Sequence, residues 1–305
     1  MPPDVRLIAV DIDGTLLSTA STTISERNRR ALHAAQDVGI HLAIATGRRH
    51  QFAAPVLEQA GLSARNIMIS SNGSVVRYFD GGLIQRSLLA AESARALCGA
   101  LRPFGQTMVF TFDRADGPSL VVENTASLHR RISAWVEANR HDMVEIVPLE
   151  RAFDQNEAPI QGMLCGEIAQ VRAAEEALAG TELAAAVTMH RTEYADRDLG
   201  ILDLLPPHCS KGRALADYAH SLGLDASQVL AIGDNFNDLD MLEFAGHAVL
   251  MGNAGPEMQT LAQDRGWTVT LGNNEDGVAA ALERLLPALF STPEVPPPQT
   301  VAAGR

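Results

Sequence analysis

Short apolar runs alternate with segments of helical periodicity in the N-terminal part of the chain. Residues 5–10 (VRLIAV) are apolar and rich in β-branched side chains, which predicts a buried strand. Residues 25–39 begin with the N-cap residue Ser25, place apolar side chains at helical spacing and end at a glycine, which predicts a helix. Two further apolar runs, IHLAIAT and NIMIS, enclose a second helical segment that closes at Gly61. The resulting β-α-β-α-β pattern predicts an α/β fold with a doubly wound, mostly parallel sheet.

The pattern changes after residue 84, and the β-α-β alternation returns near residue 190. The intervening segment mixes short apolar runs with alanine-rich helical segments, as expected for an α+β unit. From GILDLL at 200–205 onwards, strands and helices alternate again up to a last helix, GVAAALERLLPAL. We therefore predict a discontinuous Rossmann-like core over 1–84 and 190–285, interrupted by an inserted α+β domain over 85–189. A Pro-rich tail over 286–305 is predicted to be disordered.

Composition and charge narrow the possible function classes. The 305 residues carry a formal net charge of −13, and 46% of them are hydrophobic, which is enough apolar material for about two domains. An acidic surface disfavours nonspecific binding to nucleic acid and to anionic membranes, so neither is expected as a partner. No window approaches the ~18 apolar residues that a membrane span needs. Three scattered cysteines without paired spacing indicate reduced thiols and a cytoplasmic protein: Cys98, Cys165 and Cys209.

Polar residues follow the predicted strands of the core. In doubly wound sheets, ligands bind at the carboxyl ends of the strands. Asp11 and Asp234 each end an apolar run, so we expect them to meet at one cleft although they lie far apart in the sequence. Two acids as close as Asp11 and Asp13 repel each other unless positive charge lies nearby or one of them is protonated. The other polar residues at this edge are Thr46, Gly47, Asn237, Asp238 and, at the start of a predicted helix, Lys211.

Phosphoryl transfer is the chemistry that fits these residues. Asp11 and Asp234 supply carboxylates for Mg²⁺, a cation that also neutralises the acidic cluster. A carboxylate such as that of Asp11 is a competent nucleophile for phosphorus. A second acid, Asp13, can protonate the leaving alkoxide and then deprotonate water. The transition state also needs donors for its negative charge. The donors available are Thr46, Gly47 and Lys211.

Four motifs carry a resemblance to a known family. DIDGT, IATGR, CSKGRAL and GDNFND, in that order, resemble the motifs of the haloacid dehalogenase superfamily of phosphatases. The added SSNGS at 70–74 and the large insertion between the second and third motifs resemble the Cof-like branch, which carries a type IIB cap. This resemblance implies a Mg²⁺-dependent phosphatase that acts through an aspartyl-phosphate intermediate. The implied substrates are phosphomonoesters of small metabolites, such as sugar, polyol or cofactor phosphates.

The resemblance also implies roles for individual residues. Asp11 is the expected nucleophile and a Mg²⁺ ligand, and Asp13 is the expected general acid and base, whose carbonyl also binds the metal. Asp234 is the third expected protein ligand, and Asp238 is expected to hold the water shell of the metal. The residues expected to hold the phosphate or to line the cleft are Ile12, Thr46, Gly47, Asn72, Lys211 and Asn237. Ser74 stands where an alanine is more usual.

Some alternatives stay open at this level. Taken singly, Thr46 and Asp238 are typical of helix caps, and Asn72 is typical of an Asn-Gly turn. A phosphomutase uses the same chemistry, and a non-catalytic binding protein can keep the same fold, although Asp11 and Lys211 are both intact. These motifs do not specify the substrate, the cap residues that contact it, or whether the protein is a monomer or a homodimer.

Overall fold

The computed structural model describes residues 3–105, 108–128, 130–194 and 197–290 of the chain. The strands are β1 (Leu7–Asp11), β2 (His41–Ala45), β3 (Ile67–Ser70), β4 (Val75–Tyr78), β5 (Leu83–Arg86), β6 (Met108–Thr111), β7 (Leu120–Val122), β8 (Met143–Glu145), β9 (Gln161–Gly166), β10 (Thr188–Tyr194), β11 (Leu199–Leu205), β12 (Val229–Gly233), β13 (His247–Leu250) and β14 (Thr268–Val269). The helices are α1 (Glu26–Asp37), α2 (His50–Ala60), α3 (Ala91–Leu101), α4 (Ser133–Asn139), α5 (Ile168–Ala179), α6 (Lys211–Ser221), α7 (Leu239–Phe244), α8 (Pro256–Arg265) and α9 (Gly277–Leu285).

A mostly parallel sheet forms the core. Its order is β14-β13-β12-β1-β2-β3-β4-β5. Neighbours from β14 to β3 run parallel, whereas β4 and β5 are added antiparallel at one edge. In the centre, Val10 of β1 lies opposite Ile232 of β12 and Ile44 of β2. The predicted α/β fold is confirmed, and the carboxyl ends of these three central strands meet at one edge of the sheet.

Helices cover both faces of the core sheet. In β1, Ile8 and Val10 pack in a cluster with α1, α2 and α9, whereas Leu7 and Ala9 pack with α6, α7 and α8 on the other face. All four side chains are fully buried. Burial on both faces explains why the core strands are continuous apolar runs rather than alternating ones.

A second, mixed sheet forms the inserted cap. Its order is β10-β11-β9-β6-β7-β8. Helices α3 and α5 cover one face, where Phe110 and Leu202 are buried, and α4 packs near Val109 and Cys165 on the other. The predicted insertion of an α+β cap into the α/β core is therefore confirmed.

The predicted return to the core at residue 190 differs from the structure. That position falls within β10, and β10 and β11 both belong to the cap sheet, where β11 pairs with β10 and β9. The run GILDLL resembles a core strand because β11 is buried on both faces, with Leu202 and Leu204 on one side and Leu199 on the other. In the structure, the next core element after β5 is α6.

Smaller differences concern element lengths and the C-terminus. In the cap, α4 is short, with seven residues, and a 3₁₀ helix over Glu182–Ala186 precedes β10. The predicted tail begins with a short 3₁₀ helix, Pro287–Leu289, and its residues 291–305 lie outside the described residues. Within the described ranges, none of the helices combines the length and the apolar character that a membrane crossing requires.

Candidate active site

Asp11, Asp238 and Lys211 form a buried cluster at the carboxyl edge of the core sheet. The ammonium group of Lys211 donates hydrogen bonds to Asp11 Oδ1 and Asp238 Oδ1, each at 2.7 Å. All three side chains are almost completely shielded from solvent. Lys211 is the only lysine in the sequence, whose other basic residues are arginines and histidines. The chain therefore places its one ammonium side chain between two buried acids.

The sheet topology brings this cluster together. β1 and β12 are parallel neighbours, so Asp11, at the end of β1, and Asp234, directly after β12, reach the same edge. Lys211 is the first residue of α6, whose N-cap is Ser210. Carboxylate oxygens of Asp11, Asp234 and Asp238 lie within 4.8 Å of one another. The structure thus brings Asp11 and Asp234 together at one edge of the core sheet.

Gly14 allows the turn after β1 to approach Asp234 closely. Its φ of +82° lies in the left-handed region, and a Cβ built on Gly14 would overlap the Asp234 carboxylate. Thr15 donates its hydroxyl to Asp234 Oδ1 at 3.2 Å, and Asn253 donates to the carbonyl of Gly14 at 2.9 Å. These contacts hold the Asp234 carboxylate against the turn that carries the first motif.

Burial and crowding shift the pKa values of the cluster. Burial, and next the charge of Asp238, raise the pKa of Asp11 well above its usual value, although Lys211 opposes this effect. Burial and Asp238 likewise raise the pKa of Asp234 to about 7. Burial lowers the pKa of Lys211, but Asp11 and Asp238 raise it by more, so its ammonium group stays charged. The cluster therefore concentrates more negative charge than one ammonium group balances.

The donor set fits a hard divalent cation. Clustered carboxylate oxygens are the ligands that Mg²⁺ prefers, and a cation would offset the repulsion between these acids. Asp238 already accepts from Lys211 on one oxygen and from the amides of Asp234 (3.0 Å) and Asn235 (3.2 Å) on the other. Asp11 and Asp234 are therefore better placed than Asp238 to bind a cation directly, whereas Asp238 orients Lys211 and the loop after β12.

Asp13 is half exposed and pairs with Arg48. The Nε and Nη2 atoms of Arg48 donate to the two carboxylate oxygens of Asp13 at 2.8 and 2.5 Å. The Asp13 side chain is 51% exposed. Positive charge therefore lies beside both acids of the first motif, from Lys211 at Asp11 and from Arg48 at Asp13. No role was predicted for Arg48, although its position within the IATGR motif could have indicated that it belongs to the site.

The loops after β2 and β3 lie against each other at the same edge. The carbonyl of Thr46 accepts from the Asn72 amide at 3.0 Å, and the Thr46 hydroxyl accepts from the Arg48 amide at 3.1 Å. A Cβ on Gly47 would lie 3.2 Å from Asn72 Oδ1, and Asn237 donates to that same oxygen at 3.2 Å. Asn72 has a φ of +52°, so it shapes the turn and contacts the site at once.

Ile12 lies in the turn that directly follows Asp11. Its side chain is fully buried, and its carbonyl accepts from the amides of Leu16 and Leu17 at 3.0 and 2.9 Å. These hydrogen bonds close the turn and fix the backbone of Ile12 beside the cluster. A phosphate role for its amide stays a prediction.

The cap contributes polar residues to which the sequence motifs gave no role. Asp203 of β11 is buried and accepts from Asn72 Nδ2 at 2.9 Å and from Gln161 Nε2 at 2.5 Å. Burial raises the pKa of Asp203 to about 6, against the lowering effect of these two hydrogen bonds. His190 of β10 lies opposite Asp203 in the cap sheet and 4.0 Å from Asp240 of the core. Asp203 is the single acid within the apolar run GILDLL, and this feature of the sequence could have marked it as a site residue.

Comparisons with known proteins point to one family. Residues 8–282 match the model of the haloacid dehalogenase-like hydrolases. The chain is 29% identical to a 5-amino-6-(5-phospho-D-ribitylamino)uracil phosphatase of Bacillus subtilis, over 94% of this chain and 100% of the relative. It is 28% identical to an HMP-PP phosphatase of Yersinia pseudotuberculosis, over 83% of this chain and 86% of that protein. The fold is shared with a sugar phosphatase of haloacid dehalogenase subclass IIB, with a TM-score of 0.72 and 20% identity, over 92% of this chain and 98% of the other.

Proposed function

This chain belongs to the family of haloacid dehalogenase-like hydrolases, and from that premise we propose that it is a Mg²⁺-dependent phosphatase of small phosphomonoesters. The family resemblance of the four sequence motifs is thereby confirmed.

One observation carries the proposal. Lys211 contacts Asp11 at 2.7 Å, and the oxygens of Asp11 and Asp234 gather at the same point of the sheet edge. A nucleophilic carboxylate, a cation site and a fixed ammonium group are the parts that phosphoryl transfer to an aspartate requires. Their convergence from three distant segments of the chain supports this chemistry over an isolated structural role for any one of them.

Mg²⁺ would be held by the carboxylates of Asp11 and Asp234 and by the carbonyl of Asp13. When bound, it would offset the charge of the phosphoryl oxygens and of the acidic cluster. The pKa values of Asp11 and Asp234 are raised, which means that their negative charges are costly without a nearby positive charge. A bound cation would supply that charge.

Asp11 acts as the nucleophile in the first step. A carboxylate oxygen of Asp11 attacks phosphorus, the bond between phosphorus and the alcohol oxygen breaks, and Asp13 gives its proton to the departing alkoxide. Lys211, Thr46 and Asn237 donate hydrogen bonds to the phosphoryl oxygens as their charge develops. Arg48 holds both oxygens of Asp13 in the structure, so one of these hydrogen bonds has to exchange before Asp13 delivers a proton.

Water releases the phosphate in the second step. Asp13, now a carboxylate, takes a proton from a water molecule while the water oxygen attacks phosphorus. The bond between phosphorus and Asp11 breaks, which frees inorganic phosphate and restores the Asp11 carboxylate. In a phosphomutase, a hydroxyl of the product would attack in place of water.

The position of the cap favours small substrates. Asp203 of the cap contacts Asn72, and Arg49 of the core pairs with Asp142 and Asn139 of the cap, so the two units touch at two places. A cap in this place excludes bulk water and leaves room for a small molecule. The names of the relatives describe phosphatases of a phosphorylated ribityl compound, of HMP-PP and of sugars. We propose phosphates of sugars, polyols or cofactors for this chain.

A phosphate-release screen tests the proposal. The wild-type protein with Mg²⁺ is offered sugar, polyol, heterocyclic and phenyl phosphates, and we expect inorganic phosphate and free alcohol in equal amounts from at least one of them. The variant Asp11→Asn should keep the wild-type circular dichroism spectrum and release no phosphate. Turnover of Asp11→Asn near the wild-type rate would remove Asp11 as the nucleophile, and formation of an isomeric phosphate would indicate a phosphomutase instead.

A further inference from the structure

Three consecutive residues with a left-handed backbone form the turn after β3. Their φ angles are +49° at Ser71, +52° at Asn72 and +103° at Gly73. Glycine adopts this region freely, whereas serine and asparagine seldom do, so this turn has to be held in place by its surroundings. Strained backbone of this kind clusters at functional positions.

The turn is held by segments that carry the proposed phosphate site. The amide of Asn72 donates to the carbonyl of Thr46, in the loop after β2, at 3.0 Å. A Cβ built on Gly73 would overlap the carbonyl of Ser210, the N-cap residue of α6. The backbone of Asn72 is therefore packed between two segments of the site, and its side chain starts from a fixed position.

The side chain of Asn72 joins the cap to the loop after β12. Its Nδ2 atom donates to Asp203 Oδ2 of the cap at 2.9 Å, and its Oδ1 atom accepts from Asn237 Nδ2 at 3.2 Å. The other oxygen of Asp203 accepts from Gln161 Nε2 at 2.5 Å. Asn72 and Asp203 are both buried, so these hydrogen bonds are costly to leave unmade. We call this series of hydrogen bonds, from Gln161 through Asp203 and Asn72 to Asn237, the amide relay.

The carboxylate of Asp203 sets the direction of the amide relay. An ionised carboxylate only accepts hydrogen bonds, whereas a side-chain amide has one donor end and one acceptor end. Asp203 can therefore be met only by the Nδ2 end of Asn72, which turns Oδ1 of Asn72 towards Asn237. Asn237 then has to present its NH₂ group, and one of the two hydrogens of that group remains available for another acceptor.

We propose that Asp203 is a positioning residue for phosphate binding, which acts through Asn72 to hold the NH₂ group of Asn237 towards the phosphoryl oxygens. If the amide of Asn72 were reversed, Asn237 would have to offer its carbonyl oxygen to Asn72, and that oxygen would then repel the phosphoryl group. This inference rests on the proposed phosphatase function and deepens it, because it gives a cap residue a role at the phosphate end of every substrate.

The variant Asp203→Asn tests the direction of the relay. It keeps the shape of the side chain and removes a buried charge, but the new amide has one oxygen and can no longer accept from both Gln161 and Asn72. We expect KM and the inhibition constant of inorganic phosphate to rise together, roughly 3- to 10-fold. The rise should be equal for sugar phosphates and phenyl phosphate, because these ligands share the phosphoryl group. Assays at about pH 8 keep Asp203 ionised, since burial raises its pKa to about 6.

A double variant that combines Asp203→Asn with Gln161→Glu should restore phosphate binding. It moves the carboxylate one step back along the amide relay, so the new amide donates to the glutamate and its oxygen accepts from Asn72 again. The net charge and the numbers of donors and acceptors stay those of the wild type. The inhibition constant of inorganic phosphate should return to within about twofold of the wild-type value. A role of Asp203 in stability alone would not produce this recovery.

Asp142→Asn is the matched control for a simple attachment role. Asp142 is likewise a cap acid that bonds to the core, but its partner is Arg49 rather than Asn72. This variant weakens a contact between cap and core without touching the amide relay. It should therefore leave the inhibition constant of inorganic phosphate unchanged. Melting temperatures verify that each variant is folded.

The outcomes separate this inference from the function on which it rests. An active wild type together with unchanged constants in Asp203→Asn, or an equal rise in Asp142→Asn, would overturn the inference and leave the phosphatase function standing. An effect on sugar phosphates that spares phenyl phosphate and inorganic phosphate would place Asp203 at the alcohol part and also overturn it. A double variant as weak as Asp203→Asn would remove the relay as the cause. A wild-type protein that releases phosphate from no substrate would overturn the function itself.

Discussion

Lys211 Nζ lies 2.7 Å from Asp11 Oδ1, although 200 positions separate the two residues in the chain. The contact exists because β1 ends and α6 begins at the same edge of the core sheet, and because Asp238 holds the other side of the ammonium group. A buried charge between two carboxylates depends on each of its partners. Lys211 is therefore the most direct probe of the cluster.

Replacement of Lys211 by methionine should leave a folded but nearly inactive protein. Methionine keeps an unbranched side chain of similar length and removes the charge that would stabilise the phosphoryl oxygens. Loss of one such donor costs about 10²–10³ in kcat in well-studied sites, and we expect a fall of that size in kcat/KM. Steady-state kinetics on any substrate found in the screen provide the measurement.

The matched control for this change is Arg213→Met. Arg213 lies on the same helix, and its exposed guanidinium pairs with Asp217 rather than with the cluster. This variant should keep the wild-type kcat/KM. An active Lys211→Met variant, with kinetics like those of the control, would place Lys211 outside the reaction.

Lys211 should resist amine acylation for as long as the protein is folded. Its side chain is fully buried, and the two carboxylates raise its pKa, so little free amine is available to react. Because Lys211 is the only lysine, intact mass spectrometry reads its modification directly. After brief treatment with acetic anhydride we expect acetylation at the amino terminus alone, and additional acetylation of Lys211 in urea. Fast acetylation of Lys211 in the native protein would contradict its burial.

Removal of divalent cations should abolish activity and lower the melting temperature. A cation that binds the folded protein at Asp11 and Asp234 stabilises it by an amount that grows with the logarithm of the cation concentration, and it relieves the repulsion between the buried acids. EDTA should therefore stop turnover, and added Mg²⁺ should restore both turnover and the melting temperature. The variant Asp234→Asn should lose most of the Mg²⁺-dependent rise. Turnover that is indifferent to EDTA would dismiss the metal.

The comparison of Gly14→Ala with Gly39→Ala separates a metal effect from backbone strain. Both glycines have a left-handed φ, +82° and +88°, but only a Cβ at Gly14 would overlap Asp234, while nothing lies within 4 Å of one at Gly39. The left-handed backbone should cost each alanine about 1–2 kcal/mol of stability, and Gly14→Ala should lose more because the Asp234 carboxylate has to move. Only Gly14→Ala should also weaken Mg²⁺ binding, because it displaces one of the expected ligands. The loss should be about tenfold or more, and the Mg²⁺ dependence of the melting temperature measures it. Equal Mg²⁺ affinity in the two variants would remove Asp234 from the metal site.

The core and its site were predictable because their signals are local. Each central strand is a continuous apolar run, and each ends in polar residues that cannot pack, so Asp11 and Asp234 mark their own strand ends. The rule that ligands bind at the carboxyl edge of such a sheet then places these acids together without knowledge of the contacts. The position of Lys211 at a helix start followed from the same reasoning.

The cap contacts were not predictable, because they depend on how two sheets face each other. β11 is as apolar as a core strand, and nothing in its sequence tells that it pairs with β9 rather than with β1. The contact between Asp203 and Asn72 joins a strand of the cap sheet to the turn after β3 in the core, 131 positions apart in the chain. The pairing of Arg48 with Asp13 likewise depends on the conformation of a loop, which an isolated motif does not specify.

Asp203 should make the protein less stable as the pH rises through the range from about 4 to 6. Burial raises the pKa of this carboxyl from 3.8 to about 6 in the folded protein, while the unfolded chain keeps the ordinary value. Between these values the folded state binds more protons than the unfolded state, so stability falls with increasing pH and the cost is complete above pH 6. A shift of this size corresponds to roughly 3 kcal/mol.

The variant Asp203→Asn cannot titrate at this position, so its stability relative to the wild type should rise by roughly that amount between pH 4 and 7. Urea unfolding at several pH values gives the difference, in which acids common to both proteins, such as Asp11 and Asp234, largely cancel. Gln161→Leu provides a second test, because it removes a hydrogen bond that lowers the pKa of Asp203. In this variant, the pH range over which stability falls should extend to higher pH than in the wild type. A difference between Asp203→Asn and wild type that stays flat from pH 4 to 7 would show that Asp203 ionises in the folded protein as readily as in the unfolded chain, with Asn72 and Gln161 compensating fully for its burial.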